Sequence, residues 1–352
     1  MMIGDLARKV LVFVAMLAPL PAAAQETPDP RTGDHLIERS SKSMGTVIRI
    51  TAWTADEARA VAAIEQALGE FDRLDRLMTT WTSDSEVSRI NAAAGDGKPV
   101  AVGDEVLDCI ERGLAASRLS DGTFDLTVGS FSGVWKFDED NDGTIPEAGL
   151  VAERRKLVNW RDVIVDHAKK TVRLRRAGQR ITLGGIAKGY AVDKAAAVLR
   201  RAGFENFIVQ AGGDMLVSGR KGDRRWRVGI RDPRGARDAF FAAAEVEDRT
   251  FSTSGDYERF TVKDGRRYHH ILDPRTGYPA TACRSVTIMA KDAVTAEVMS
   301  KIVFIWGAER GLRLVEKTPD VEAVVVDGEN RVHVSRGLKD KLIRLSDPTP
   351  GI

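Results

Sequence analysis

Short strand-like segments joined by tight turns recur along this 352-residue sequence, and they outnumber the strand–helix–strand units that a parallel sheet needs. Residues 163–174 (VIVDHAKKTVRL) and 322–335 (EAVVVDGENRVHVS) each predict a β-hairpin. Residues 44–53 (MGTVIRITAW) predict another strand, because β-branched residues follow one another closely. The pattern predicts an α+β fold, in which a single domain of mixed α/β content has antiparallel-rich sheets flanked by helices.

Four segments predict helices. Apolar residues between positions 61 and 77 recur every three or four residues, which marks one buried helix face. A second helix is predicted at 104–119, before a turn-forming Ser-Asp-Gly sequence. Residues 181–203 predict a strand, a glycine turn and a helix that ends at the last glycine. Residues 292–307 (DAVTAEVMSKIVFIWG) are apolar almost throughout and predict a buried helix.

The N-terminus has the order of a secretory signal peptide. Two basic residues precede an apolar run at 10–20, and three alanines follow before Gln25. The run is too short to span a bilayer comfortably. We therefore expect residues 1–24 to be cleaved and the mature protein to be exported to the periplasm in soluble form. No cysteine lies near the predicted cut, so no lipid anchor is expected.

The composition of the remaining chain suggests where the folded part begins and which partners it has. Residues 25–38 are rich in Pro, Asp and Thr and predict a flexible leader, and 39–346 predict the folded domain. The net charge of +2, with scattered basic residues, excludes an obvious nucleic-acid partner. Cys109 and Cys283 are too few for a disulfide framework. They either form one disulfide or remain two buried thiols, and the sequence leaves both alternatives open.

Several short motifs predict a ligand site. Residues 183–193 (LGGIAKGYAVD) place a glycine pair and Lys188 at the start of a helix, where backbone N–H groups and a cation suit a phosphate. The motif matches neither a Walker loop nor GxGxxG, and tight helix packing explains it equally well. His269 and His270 are adjacent in a predicted strand, so their side chains point to opposite faces and only one can face a site.

Seven short motifs follow one another along the chain: MGT (44–46), SDSEVSRIN (83–91), GTFDLTVG (122–129), LGGIAKGYAVD (183–193), GGD (212–214), TSGDYERF (253–260) and HILDPRTG (270–277). In this order they resemble the ApbE family of flavin transferases, the FAD:protein FMN transferases. The resemblance implies an exported enzyme that splits the pyrophosphate of FAD, attaches the FMN half to a Thr or Ser hydroxyl of a target protein and releases AMP. It also implies magnesium as Lewis acid and an acceptor that is a flavin-bearing subunit of a membrane redox complex.

The resemblance assigns expected roles to individual residues. His270 is the general base for the acceptor hydroxyl, and Asp256 supports it. Ala187, through its carbonyl, and Glu297 are the metal ligands. Contacts to FAD are expected from Met44 and Trp81 at the isoalloxazine ring, from Thr123, Phe124 and Asp125 at the flavin or adenosine part, from Gly184, Lys188 and Lys301 at the diphosphate, and from Leu272 through its backbone.

The expected metal site departs from the family pattern. Where the family has AxxADALST, this sequence has Glu297 in place of the Asp and Lys301 in place of the Thr. Residues four positions apart share one helix face, so the two side chains can meet. Three interpretations follow: Lys301 occupies the place of the metal, Glu297 still binds magnesium, or the two form only a partly exposed salt bridge. In addition, Thr182 stands where the family commonly has Asp.

Three functions remain compatible with the sequence. The first is an active FMN transferase, which we favour because His270 and the expected flavin contacts are present. The second is an FAD-binding protein with a degenerate metal site that acts as a flavin carrier or sensor. The third is an FAD pyrophosphatase, in which water replaces the acceptor hydroxyl.

Overall fold

The computed structural model describes residues 28–138 and 140–352. The predicted signal peptide lies outside these residues. The first strand begins at His35, inside the segment predicted to be a flexible leader. The predicted domain start at residue 39 was therefore wrong, because β-pairing begins four residues earlier, where His35 lies opposite Thr54. Within the described part of the chain, no helix is long and apolar enough to cross a membrane.

Strands and helices alternate irregularly along the chain. The strands are β1 (His35–Ser43), β2 (Thr46–Thr54), β3 (Val100–Ala101), β4 (Val163–Asp166), β5 (Thr171–Leu174), β6 (Phe207–Ala211), β7 (Asp214–Ser218), β8 (Trp226–Arg231), β9 (Phe240–Val246), β10 (Arg249–Gly255), β11 (Phe260–Lys263), β12 (Arg266–His269), β13 (Leu272–Asp273), β14 (Tyr278–Pro279), β15 (Cys283–Ala290), β16 (Glu322–Asp327), β17 (Val332–Val334) and β18 (Leu342–Arg344). The α-helices are α1 (Glu57–Met78), α2 (Glu86–Ala92), α3 (Asp104–Leu119), α4 (Ala148–Arg155), α5 (Ala187–Arg201), α6 (Ala293–Trp306) and α7 (Ala308–Val315).

An eight-stranded sheet in the order β1-β2-β6-β7-β10-β15-β16-β17 forms the centre of the molecule. Every neighbouring pair in it is antiparallel. Met44 and Gly45 form the two-residue turn between β1 and β2, with φ of +50° and +67°. Positive φ at both turn positions is the geometry that matches the twist of a tight hairpin. The prediction of an α+β fold rich in antiparallel sheet is confirmed.

The two faces of this sheet are covered differently. The helices α1, α5 and α6 pack on one face, and the largest buried cluster, including Phe71, Phe207 and Phe304, lies between them and the sheet. The three-stranded sheet β18-β9-β8 covers the other face through a second buried cluster that includes Trp226 and Phe251. Helices α5 and α6 are thus held against the central strands β6, β7, β10 and β15.

The predicted hairpins at 163–174 and 322–335 and the four predicted helices are confirmed. The strand predicted at 181–183 is absent from the described residues. The side-chain amide of Asn91 donates to the carbonyl of Ile181 at 2.9 Å and accepts from its N–H at 2.7 Å, so this backbone has no need of a strand partner. Cys109 and Cys283 are both buried free thiols, which resolves the open disulfide question.

Helices α5 and α6 cap one another. Asp193 of α5 accepts hydrogen bonds from the first backbone N–H groups of α6, at Ala293 (3.0 Å) and Val294 (3.3 Å). Glu297 of α6 accepts in return from the N–H of Gly189, in the first turn of α5, at 2.7 Å. Each carboxylate thus neutralises unpaired donors at the positive end of the other helix.

We expect Gly189→Ala to lower the free energy of unfolding by about 1–3 kcal/mol, because α5 and α6 cross at this glycine. An added Cβ would lie 2.5 Å from the carbonyl oxygen of Ala293 and 3.1 Å from Oε2 of Glu297. Gly69→Ala in α1 is the matched control, since a Cβ there meets nothing within 4 Å. Urea unfolding of both variants measures the effect. Equal stability of the two variants would contradict the close helix crossing.

Candidate functional site

Two lysines share one oxygen of a fully buried carboxylate. The Nζ atoms of Lys188 and Lys301 lie 2.8 and 3.2 Å from Oε1 of Glu297. The other oxygen, Oε2, accepts from the N–H of Gly189. The Glu297 side chain is 0% exposed, whereas the side chains of Lys188 and Lys301 are 22% and 18% exposed. Both lysines therefore connect a buried anion to positions that are partly accessible to solvent.

A second buried carboxylate completes this charge cluster. Oδ2 of Asp214 lies 3.0 Å from Nζ of Lys188, and Oδ1 accepts from the hydroxyl of Ser252 at 2.5 Å. Asp214 begins β7 and lies directly opposite Ser252 of β10 in the sheet. Ser300 of α6 lies 3.3 Å from Ser252 through their hydroxyls and donates to the Glu297 carbonyl at 2.8 Å. Hydroxyl groups thus connect the Asp214 carboxylate to the backbone carbonyl of Glu297 through the sheet–helix interface.

The charges of the cluster stabilise one another. Burial alone would lower the pKa of Lys188, but Asp214 and Glu297 raise that pKa above its ordinary value. Burial would likewise raise the pKa of Asp214, but Lys188, Lys301 and the Ser252 hydroxyl lower it below its ordinary value. Lys188 is therefore charged at neutral pH and Asp214 is ionised.

The adjacent histidines have different surroundings, as the strand geometry predicted. His269 is buried; its Nε2 donates to the Ala280 carbonyl at 2.7 Å, and its Nδ1 accepts from the N–H of Ile271 at 3.3 Å. His270 follows β12, and its side chain is exposed. The surrounding protein desolvates His270, which lowers its pKa. The neighbouring His269 and the cations Arg259, Lys301 and Lys188 lower the pKa further, to well below 6.5. His270 is therefore neutral at physiological pH and able to accept a proton.

Arg259 joins three parts of the site, and the sequence analysis missed it. Its carbonyl accepts from the N–H of His270 at 3.1 Å, and its guanidinium donates to the Gly45 carbonyl at 3.3 Å and pairs with Asp138. It therefore links the β1–β2 turn, the 138 loop and the predicted base. Arg259 lies within the quoted motif TSGDYERF, but sequence alone shows none of these partners because they are distant along the chain.

Asp256 has a different partner from the one predicted. Its two carboxylate oxygens accept from the two terminal nitrogens of Arg234, both at 2.7 Å, and each side chain is 9% exposed. In the described residues no hydrogen bond joins Asp256 to His270, and the supporting role of Asp256 stays a prediction. The bidentate pair uses both carboxylate oxygens and fixes the end of β10 instead.

The residues expected at the isoalloxazine ring lie at surface turns. Trp81 is 70% exposed, in the segment between α1 and α2. Met44 is partly buried against the main core, and its N–H donates to Asp75 at 3.3 Å. A methionine at φ +50° is uncommon, and such conformations concentrate at ligand sites. Their roles at the flavin stay predictions.

The segment expected at the flavin or adenosine part is buried, and its polar side chains are occupied. The hydroxyl of Thr123 accepts from Trp306 Nε1 at 2.6 Å. Asp125 accepts from the N–H of Thr127 at 2.8 Å and of Trp160 at 2.9 Å. Phe124 is buried against the turn that precedes α5, 3.2 Å from a Cβ built on Gly185. Of the three, Phe124 packs against the turn before α5, and direct contact of these side chains with FAD stays a prediction.

The remaining predicted contacts lie near the start of α5 and after β12. Gly184 is exposed in the turn before α5, and its N–H donates to the Thr182 hydroxyl at 3.2 Å. Leu272 is partly buried in the short strand β13, two residues after His270. The contacts of Gly184 and Leu272 with FAD stay predictions.

These residues do not fit the magnesium ion that the family resemblance implies. Each carboxylate oxygen of Glu297 and Asp214 already contacts an ammonium, an N–H or a hydroxyl donor. Ala187 is the first residue of α5, so its carbonyl enters the helical hydrogen bonding. Across residues 28–138 and 140–352, no three His, Cys, Asp or Glu side chains are grouped as a metal site. Magnesium prefers oxygen ligands, and two ammonium groups next to them repel it.

Comparison with known sequences identifies the family. The sequence model of the ApbE family matches residues 44–325. An FAD:protein FMN transferase of Treponema pallidum is 32% identical over 320 residues, which cover 86% of this chain and 88% of the relative. An FAD:protein FMN transferase of Klebsiella pneumoniae is 31% identical over 288 residues, which cover 82% of this chain and 88% of the relative.

Solved structures agree with the sequence match. The ApbE protein of Thermotoga maritima superposes with a TM-score of 0.80 at 32% identity, covering 87% of this chain and 99% of that chain. The flavin transferase ApbE of Vibrio cholerae superposes with a TM-score of 0.76 at 27% identity, covering 88% and 99%. Because the family model matches most of the chain, including the lysine–carboxylate cluster, this chain belongs to the ApbE family.

Proposed function

We propose that this protein is an FAD:protein FMN transferase, which attaches FMN through a phosphoester to a Thr or Ser of a target protein and releases AMP. The relatives that carry this name support the proposal. The observation that carries it is the exposed His270, whose pKa is lowered first by desolvation and further by His269 and by the cations Arg259, Lys301 and Lys188. A neutral base beside two positive charges suits phosphoryl transfer to a hydroxyl.

The proposed step is a displacement at phosphorus. The acceptor hydroxyl oxygen bonds to the FMN phosphorus of FAD, and the bond from that phosphorus to the bridging oxygen breaks. The electron pair leaves with AMP, and His270 takes the hydroxyl proton. Lys188 and Lys301 face the negative charge that grows on the diphosphate, and preorganised cations in a partly buried site stabilise such charge effectively.

The flavin and the acceptor would bind on the solvent-exposed side of the site, where Trp81 and His270 are exposed. The exposed Trp81 offers a flat aromatic surface on which an isoalloxazine ring can stack. The exposed side of His270 is where an acceptor hydroxyl can approach. We propose a flavin-accepting subunit of a membrane redox complex as partner, because such subunits are the acceptors that the family resemblance implies.

The test combines the protein with FAD and a flavin-accepting domain that carries Thr at its modification position. We expect the mass of the acceptor to increase by that of FMN less one water, and AMP to appear in equal amount. AMP and free FMN without an acceptor would identify a pyrophosphatase instead. Retained FAD with neither product would identify a binding protein, and both results contradict the proposal.

Export is a separate proposal that rests on the order of residues 1–24. We expect the mature protein to begin at or near Gln25 and to be recovered in the periplasmic fraction. N-terminal sequencing of the protein from fractionated cells measures both. An intact N-terminus in the cytoplasmic fraction would contradict export.

A further inference from the structure

We propose that Lys301 supplies at the FAD diphosphate the positive charge that a divalent metal would otherwise supply, so that FAD binding and FMN transfer need no metal. This inference rests on the proposed function and concerns the same site. It follows from how the four charges of Lys188, Lys301, Asp214 and Glu297 are arranged.

The position of Lys301 excludes a neighbouring dication. Its Nζ lies 3.2 Å from Oε1 of Glu297, the same oxygen that Lys188 contacts at 2.8 Å. A metal bound to Glu297 would replace one of these ammonium groups or lie within a few ångströms of both. Like charges at such distances in a partly buried site repel strongly. Each oxygen of the two carboxylates already has a donor, so neither carboxylate offers a free oxygen to a further cation.

Glu297 does not need Lys301 for its own neutralisation. Lys188 and the N–H of Gly189 already bind one oxygen each. Adding a third donor brings a second lysine into a position where its side chain is only 18% exposed, which costs hydration. A buried salt bridge contributes little net stability, so stability alone does not explain why a second lysine lies at Glu297. An anion bound next to Lys301 would offset the lost hydration of its ammonium group.

Lys301 has donors to offer to such an anion. An ammonium carries three N–H donors, and the hydrogen bonds of Lys301 to described residues use one of them, at Glu297. Lys188 uses two, at Glu297 and Asp214. Of the two lysines at Oε1 of Glu297, Lys301 is therefore the one with more donors left for a bound diphosphate.

The first experiment measures FAD affinity of the wild-type protein by flavin fluorescence, with saturating magnesium and with EDTA. We expect the two dissociation constants to agree within about threefold. Direct calorimetric titration with magnesium should show no binding at the site. A dissociation constant that is more than about threefold weaker in EDTA would overturn the inference.

The second experiment uses Lys301→Thr and the double variant Glu297→Asp/Lys301→Thr. We expect FAD affinity in EDTA to fall by about tenfold or more, because a charge-assisted hydrogen bond is lost. Magnesium should restore it in the double variant, which again offers oxygen ligands. Lys291→Thr is the matched control, since Lys291 pairs with Asp320 at the exposed surface, and we expect no change. If Lys301→Thr remains folded and binds FAD in EDTA with unchanged affinity, the inference is overturned.

The failure of this inference is distinguishable from failure of the proposed function. Wild-type protein that binds FAD equally in EDTA but never modifies an acceptor would contradict the transferase proposal and leave the role of Lys301 in binding intact. Wild-type protein that modifies the acceptor only with magnesium would support the transferase and refute the role of Lys301.

Discussion

Replacing His270 by Ala is expected to lower the rate of FMN transfer by about 10²–10⁴-fold, the usual contribution of a positioned general base. The side chain is exposed, so its removal leaves no cavity in the core, and FAD affinity should change little. Single-turnover transfer to an acceptor domain, followed by intact mass, measures the rate. His167→Ala is the matched control, because His167 is an exposed histidine on the β4–β5 hairpin. Retained transfer in His270→Ala would contradict the assignment of the base.

The pH dependence of transfer gives a second readout of the same residue. Desolvation and the nearby cations lower the pKa of His270, so the neutral, proton-accepting form persists as the pH falls through 6.5. Activity should therefore be nearly constant from about pH 8 to about pH 6 and be lost only at more acidic pH, when His270 becomes protonated. A loss of transfer with a midpoint near 6.5 would show that the ring is unperturbed.

Lys188→Met is expected to have the largest effect on stability. Lys188 binds both Glu297 and Asp214, whose side chains are 0% and 3% exposed, and methionine leaves these carboxylates without that cation. Removing one partner of a buried ionic cluster costs about 3–5 kcal/mol of unfolding free energy. Denaturant unfolding monitored by circular dichroism measures the loss, and FAD affinity should fall with it.

A control on the same helix makes this effect specific. Lys194 also lies on α5, but its side chain is 40% exposed and its ammonium is 3.9 Å from Glu105. Lys194→Met should therefore cost less than about 1 kcal/mol. If the two variants lose equal stability, the cluster at the start of α5 does not hold the helices together.

The sequence predicted most of the fold because its local signals agree with its tertiary contacts. The periodicity of α1, the turns of the two hairpins and the apolar helix α6 all correspond to buried faces in the structure. The strand predicted at 181–183 failed because a side chain far along the chain, Asn91, binds the backbone of Ile181. Pairing of that kind has no local pattern.

The site was predictable only where its partners lie close in sequence. Glu297 and Lys301 are one helical turn apart, so their contact followed from helix geometry. Lys188 meets Glu297 across 109 positions, and neither that ion pair nor the pairing of Arg234 with Asp256 has a spacing that sequence reveals. The pairing of Asp256 with Arg234 was not predicted for this reason.

With Lys301 in the place of a metal, FMN transfer should proceed without magnesium. The decisive experiment is the intact mass of a Thr-containing flavin-accepting domain after incubation with wild-type protein and FAD in excess EDTA. We expect one FMN adduct per acceptor, with AMP released in equal amount, at a rate that added magnesium does not raise. An adduct that forms only when magnesium is present would contradict this expectation.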